Sequence, residues 1–176
     1  QVGARSDGAR RKTAEGLSGG RLAGPPEENM PGMLWKKFTY LAGSAAVCTA
    51  SGANYGEMRT IPETRETIRR AIEEALEVGR ASGAPIIEDP LDWSMTALDS
   101  FPATGLASLT KDFQAGRPVE LEGLTGTIVR MGRELGVPTP INDTLYAVLK
   151  PWAQRLEGVV HGLIEIQKTT YRMPYV

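Results

Sequence analysis

The segment IPETRETIRRAIEEALEVGRASG, residues 61–83, constrains the fold more than any other part of the chain. Ile68, Ile72, Ala75, Leu76 and Gly79 recur every three or four residues. A helix gathers such positions on one face, whereas a strand scatters them over two. Thr60 and Glu63 have capping-box spacing, Pro62 suits a first helical turn, and Gly83 suits the left-handed position that ends a helix. On the wet side Glu66–Arg70, Arg69–Glu73 and Arg70–Glu74 stand at helical spacing, as pairs worth about 0.3–0.5 kcal/mol each. A helix this amphipathic must bury its apolar face against something, and the rest of the chain offers more helices.

From Met30 to about Ala50 the sequence reads as a helix, with Leu34, Phe38, Leu41 and Ala45 inward. The small residues Gly43, Ser44, Ala45 and Ala46 would let a second helix or a ligand approach closely. SGANYGEMR, residues 51–59, reads as a loop, and residues 84–102 as a connection with a short helix at Ser94–Leu98. Thr104–Gln114 should be helical, and Gly116-Arg117-Pro118 turns the chain. Val119–Leu135 forms another helix with Leu121, Leu124, Ile128, Met131 and Leu135 inward, stopped by Gly136 and Pro138. Pro140–Arg155 is the last helix, burying Leu145, Val148 and Leu149. No segment alternates as a strand does. The expected class is all-α with a bundle-like core. Residues 30–155 form the helical domain, residues 1–29 an irregular arm or a remnant of a preceding domain, and residues 156–176 an unassigned tail.

Bulk properties exclude several functions. Twenty Lys and Arg against 21 Asp and Glu give no basic face for nucleic acid or an anionic membrane. No apolar run is long enough to span a bilayer, and the basic N-terminal stretch lacks the apolar core of a signal peptide. Cys48 is the single cysteine, so an intrachain disulfide is excluded. His161 is the single histidine, set in the apolar stretch Val159–Ile166. A histidine-rich metal site or a Ser-His-Asp hydrolase is not expected here.

Two groups of residues could carry chemistry. In LWKKF the lysines Lys36 and Lys37 are flanked by Trp35 and Phe38, so one lysine stem should run along apolar surface. Desolvation would lower that ammonium from about 10.4 and fit it to protonate a developing alkoxide. Ser108 and Asp112 are four apart on one helix face, and Glu120 follows Pro118 in what should be a first helical turn. A carboxylate there favours the helix dipole by about 0.3–1 kcal/mol. Taken singly, each of these residues also has an ordinary structural explanation.

Together they resemble the C-terminal domain of the ketopantoate reductase (2-dehydropantoate 2-reductase) family. LWKKF matches its W-x-K-[LF] motif with Lys37 in the place of the catalytic lysine, and IPETRETI matches P-x-x-R-x-x-[IL]. Ser108, Asp112, Glu120, Gly136, Pro140, Tyr146 and Lys150 fall in register with S-[ML]-x-x-D, E-[IL]-[DE], G-[VI]-x-[TV]-P and L-Y-x-[LM]-[LV]-K. The resemblance covers roughly residues 30–152. It implies a helical domain similar to the 6-phosphogluconate dehydrogenase C-terminal domain. It also implies a cytoplasmic, dimeric NADPH-dependent oxidoreductase of pantothenate biosynthesis that reduces ketopantoate or an analogous 2-keto acid. By the same resemblance Lys37 is catalytic, Ser108 and Glu120 bind substrate, and Glu120 also meets the cofactor.

Some positions depart from the family. Leu41, Ala45 and Tyr55 stand where members often carry asparagines, which weakens recognition of the hydroxyl and carboxylate of ketopantoate and favours a bulkier or more apolar 2-keto acid. No G-x-G-x-x-G follows a hydrophobic strand, so the cofactor's main binding domain is missing from this sequence and the isolated chain should be inactive. The competing expectation is a catalytically inactive helical dimerisation or interaction module.

Overall fold

The computed structural model describes residues 30–86 and 90–170, with side chains described over 31–86 and 90–158. The helices are α1 (Met30–Ser51), α2 (Tyr55–Thr60), α3 (Pro62–Ala81), α4 (Pro90–Ser100), α5 (Ser108–Gln114), α6 (Thr125–Leu135) and α7 (Pro140–Thr170). No strand occurs among the described residues, and the all-α expectation holds. No described helix is long and apolar enough to cross a membrane. Residues 1–29 and the side chains of Val159–Ile166, including His161, lie outside what is described.

Helix α1 is the axis of the molecule and packs against α3, α4, α5, α6 and α7. Its small residues make this possible. A Cβ at Gly43 would fall 2.7 Å from Ile72 Cγ1 and 3.1 Å from the Ile72 backbone nitrogen, so α1 and α3 meet almost backbone to backbone. Residues of α1 enter three apolar clusters. Val47 and Cys48 join Met58, Ile68, Ile72, Leu76 and Leu98. Ala42 joins Ala75, Val78 and Ile128, and Ala46 joins Leu121, Leu149 and Ala153. Leu34, expected inward, is 61% exposed beside Trp35 and Phe38.

Helix starts differ from the sequence expectation. The capping box lies at Asn54 and Glu57 and opens α2, within the stretch read as a loop: Glu57 N donates to Asn54 Oδ1 at 3.0 Å and Asn54 N to Glu57 Oε2 at 2.9 Å. Thr60 is therefore the last residue of α2, with its hydroxyl bonded to Gly56 O, and α3 begins after Ile61 without a side-chain cap. Helix α5 begins at Ser108 rather than Thr104, because Gly105 N turns back to Pro102 O. Helix α6 begins at Thr125, because Leu121 is drawn into the core and residues 121–124 form turns. Glu120 thus precedes α6 instead of sitting in its first turn.

Two residues expected inside are outside. Leu135 is 41% and Val148 56% exposed. At the end of α6 the left-handed Gly136 folds the chain back, and Val137 covers the cluster in place of Leu135. Helix α7 runs past Arg155 to Thr170 and accommodates Pro151, which supplies no N–H to the preceding turn.

Candidate active site

Among the described residues, the N-terminal half of α1, α4 and residue 86 enclose a recess of about 760 Å³. Its far wall is aromatic. Tyr40 lies edge-on to Trp93 (centroids 6.0 Å apart) and stacks on Phe101 (6.1 Å), which stacks in turn on Tyr55 (4.7 Å). The wall is fixed from behind. Arg59 donates to the carbonyls of Asp99 and Phe101 at 2.8 and 2.9 Å, and Arg65 makes a two-pronged pair with the Asp99 carboxylate at 2.6 and 2.8 Å. The hydrogen bonds from Arg65 hold the Asp99 carboxyl below its usual range. The arginine of IPETRETI is therefore a clamp on the end of α4.

Met33, Leu41, Ile86, Pro90 and Ala97 complete an apolar lining, into which two cations are set. Lys36 is half-buried, with its ammonium 5.0 Å from the centre of the Trp93 ring. Lys37 also lines the cavity but is exposed. The lysine stem expected along apolar surface is that of Lys36. The reason is that Trp35 and Phe38 pack on each other (5.4 Å) and toward Gly79 and the Ala75–Val78 cluster, on another face of α1. The buried Tyr40 hydroxyl lies near Ser44 and Tyr55 without a hydrogen bond of good geometry, and burial pushes this phenol above its usual range.

Ser108 and Glu120 are not in the cavity lining. Ser108 is exposed at the start of α5, which is tied to α1 by a 3.0 Å contact between the Thr110 and Thr49 hydroxyls. Glu120 is exposed before α6. Asp112 pairs with Arg117 at 2.6 Å. The acidic residue that the fold engages in that block is Glu122, which accepts from Tyr146 Oη at 2.8 Å, Arg130 at 2.9 Å and Lys150 Nζ. The Lys150 bond is the chief reason the Glu122 carboxyl lies below its usual range. Tyr146 and Lys150 thus pin the 121–124 turns to α7.

One buried carboxylate escaped the sequence reading. Glu74, expected to pair with Arg70, is 9% exposed and caps α7. Its carboxylate accepts from Ile141 N, Asn142 N and Asn142 Nδ2 at 2.8, 2.9 and 2.7 Å. The available signal was its place three residues after Ala71 and four before Val78, inside the buried stripe.

The described residues do not fit a whole dinucleotide. No strand among them leads into a glycine-rich turn, and the first amides of the longest helix are already bonded to Glu74.

Against known proteins, residues 29–153 match the family model "Ketopantoate reductase PanE/ApbA C terminal". A 2-dehydropantoate 2-reductase of Pyrobaculum aerophilum is 26% identical over 123 residues, 70% of this chain and 44% of that protein. One from Mycobacterium tuberculosis is 38% identical over 81 residues, 46% of this chain and 28% of that protein. The structure of a dimeric ketopantoate reductase from Staphylococcus aureus superposes with a TM-score of 0.68 at 27% identity, covering 74% of this chain and 45% of that one. The chain therefore spans less than half the length of these relatives. The family match takes in the LWKKF lysines, the Arg65 clamp and the Glu122–Tyr146–Lys150 network together, and the chain belongs to the ketopantoate reductase family, matching its C-terminal domain.

Proposed function

We propose that this domain is the substrate half of a 2-keto acid reductase that works with NADPH held by a nucleotide-binding domain outside the described residues. The observation that carries this reading is Lys37, an exposed ammonium lining the aromatic recess at the family's catalytic position. Reduction adds a hydride to the keto carbon and a proton to its oxygen. The cofactor supplies the first and Lys37 the second. A cation fixed beside the forming alkoxide favours the transition state more than the ground state. Ser108 acts as a hydrogen-bond partner of the substrate, and Glu120 as the carboxylate where substrate and nicotinamide meet. The working protein is a cytoplasmic homodimer acting on ketopantoate or an analogue.

The test is NADPH oxidation by the native protein in the presence of a 2-keto acid. Lys37→Ala is expected to lower turnover about 10²- to 10⁴-fold, with folding unchanged because the side chain is exposed. Retained turnover overturns the role of Lys37. A second reading, an inactive helical dimerisation module, is favoured by the position of Ser108 and Glu120 outside the cavity lining. It requires that Lys37→Ala, Ser108→Ala and Glu120→Ala all leave the protein's behaviour unchanged.

A further inference from the structure

The chemistry of the cavity narrows the substrate class beyond "2-keto acid". Its described lining contains Tyr40, Trp93 and Phe101, five aliphatic side chains, the Ser100 hydroxyl and two lysines, with no carboxylate and no side-chain amide. The Ser100 hydroxyl is already donated to Ala97 O at 2.7 Å. A small ligand with several hydroxyls would find few partners there and would leave much of a 760 Å³ recess to water. The lining instead suits a flat apolar body joined to one anionic end.

The aromatic elements are placed for such a body. Trp93 and Phe101 flank Tyr40, one edge-on and one face-on, and both are partly open, 42% and 38% exposed. A ring seated between them would bury that remaining surface. The anion would meet Lys37, which has no carboxylate partner among the described residues. Lys36 is committed to the Trp93 face. The Tyr40 phenol, 5% exposed and without a hydrogen-bond partner, is a donor left over in the wall.

We propose that the cavity selects 2-keto acids bearing an aromatic side chain, with Trp93 and Phe101 as the specificity-determining residues and Lys37 holding the acid end. This rests on the reductase reading of the same recess, so the test separates the two. The folded chain is titrated calorimetrically with phenylpyruvate, phenylglyoxylate and ketopantoate, as wild type, Trp93→Ala and Lys37→Ala. Trp93 is a surface-accessible residue, and thermal melts check that Trp93→Ala stays folded. The expected result is at least tenfold tighter binding of an aromatic acid than of ketopantoate. Trp93→Ala should erase that preference, and Lys37→Ala should weaken all three ligands. Equal or tighter binding of ketopantoate, with Lys37→Ala still weakening it, overturns the aromatic selection and leaves the reductase reading standing. An aromatic preference that survives Trp93→Ala, or binding of none of the three, overturns the proposal. A preference lost in Trp93→Ala but indifferent to Lys37→Ala supports the aromatic site and overturns Lys37 as the holder of the acid end, leaving its proton transfer to the turnover assay.

Discussion

Glu74 shows how much one side chain can hold. It closes the start of α7 from α3 through three donors, two of them backbone amides with no other partner in the helix. Glu74→Ala is expected to cost about 2–4 kcal/mol in chemical denaturation, and Glu74→Gln less, since its amide oxygen still accepts. Gly43→Ala should cost about 1–3 kcal/mol, because the added methyl would sit 2.7 Å from Ile72 Cγ1 in a contact that cannot open without moving α1 off α3. The small-residue run was legible in sequence because size alone announces close approach. Glu74 was misread because charge at helical spacing invites a surface pair, and only the third dimension puts α7 over it. Which of Lys36 and Lys37 lies along apolar surface was open in the sequence for a similar reason: it depends on where α4 falls.

Apart from α2, which lies in a stretch that reads as a loop, the helices are recognised in the sequence, and their ends are not, because the ends are set by contacts from elsewhere. Helix α2 exists through Asn54 and Glu57 and is bracketed by Tyr55 N to Gly105 O and Gly56 N to Ala103 O, bonds that span about fifty residues of sequence. Ion pairs join the elements at the surface. Asp99 and Glu122 both titrate below their ordinary values of 3.8 and 4.5 because arginine or lysine bonds favour the charged form. Groups depressed by folding stabilise above those ordinary values and lose that contribution as pH falls through the folded ones. Stability should therefore be level from neutral pH down to about 5 and decline below about 4.5. Both groups are nearly half exposed, so solvent screening limits each to under about 1 kcal/mol. Asp99→Asn should flatten part of the decline in pH-dependent melts, and an unchanged acid limb would mean that the Arg65 clamp carries no stability.

For the molecule as a whole, the all-α class and the family were legible because both depend on patterns local in sequence. The cavity was not, since residues 93 and 101 must come against 33–41 to make it. With no described residues suited to a pyrophosphate, this chain should bind NADPH weakly or not at all. A sub-micromolar dissociation constant from fluorescence titration would contradict that. The burial of α1 also bears on how such a domain can diversify. Thr39, Ala42, Ala46 and Cys48, on the core side of α1, are fully enclosed, whereas Trp93 and Phe101 in the cavity lining are partly open. The core face of α1 is thus locked into the fold, whereas the α4 side of the cavity can vary. A randomised library at positions 93, 97, 100 and 101 should yield far more protease-resistant members than one at 39, 42, 46 and 48. A lineage could then change what it accepts through a few substitutions on the α4 side, while the helix that bears the lysine stays as it is.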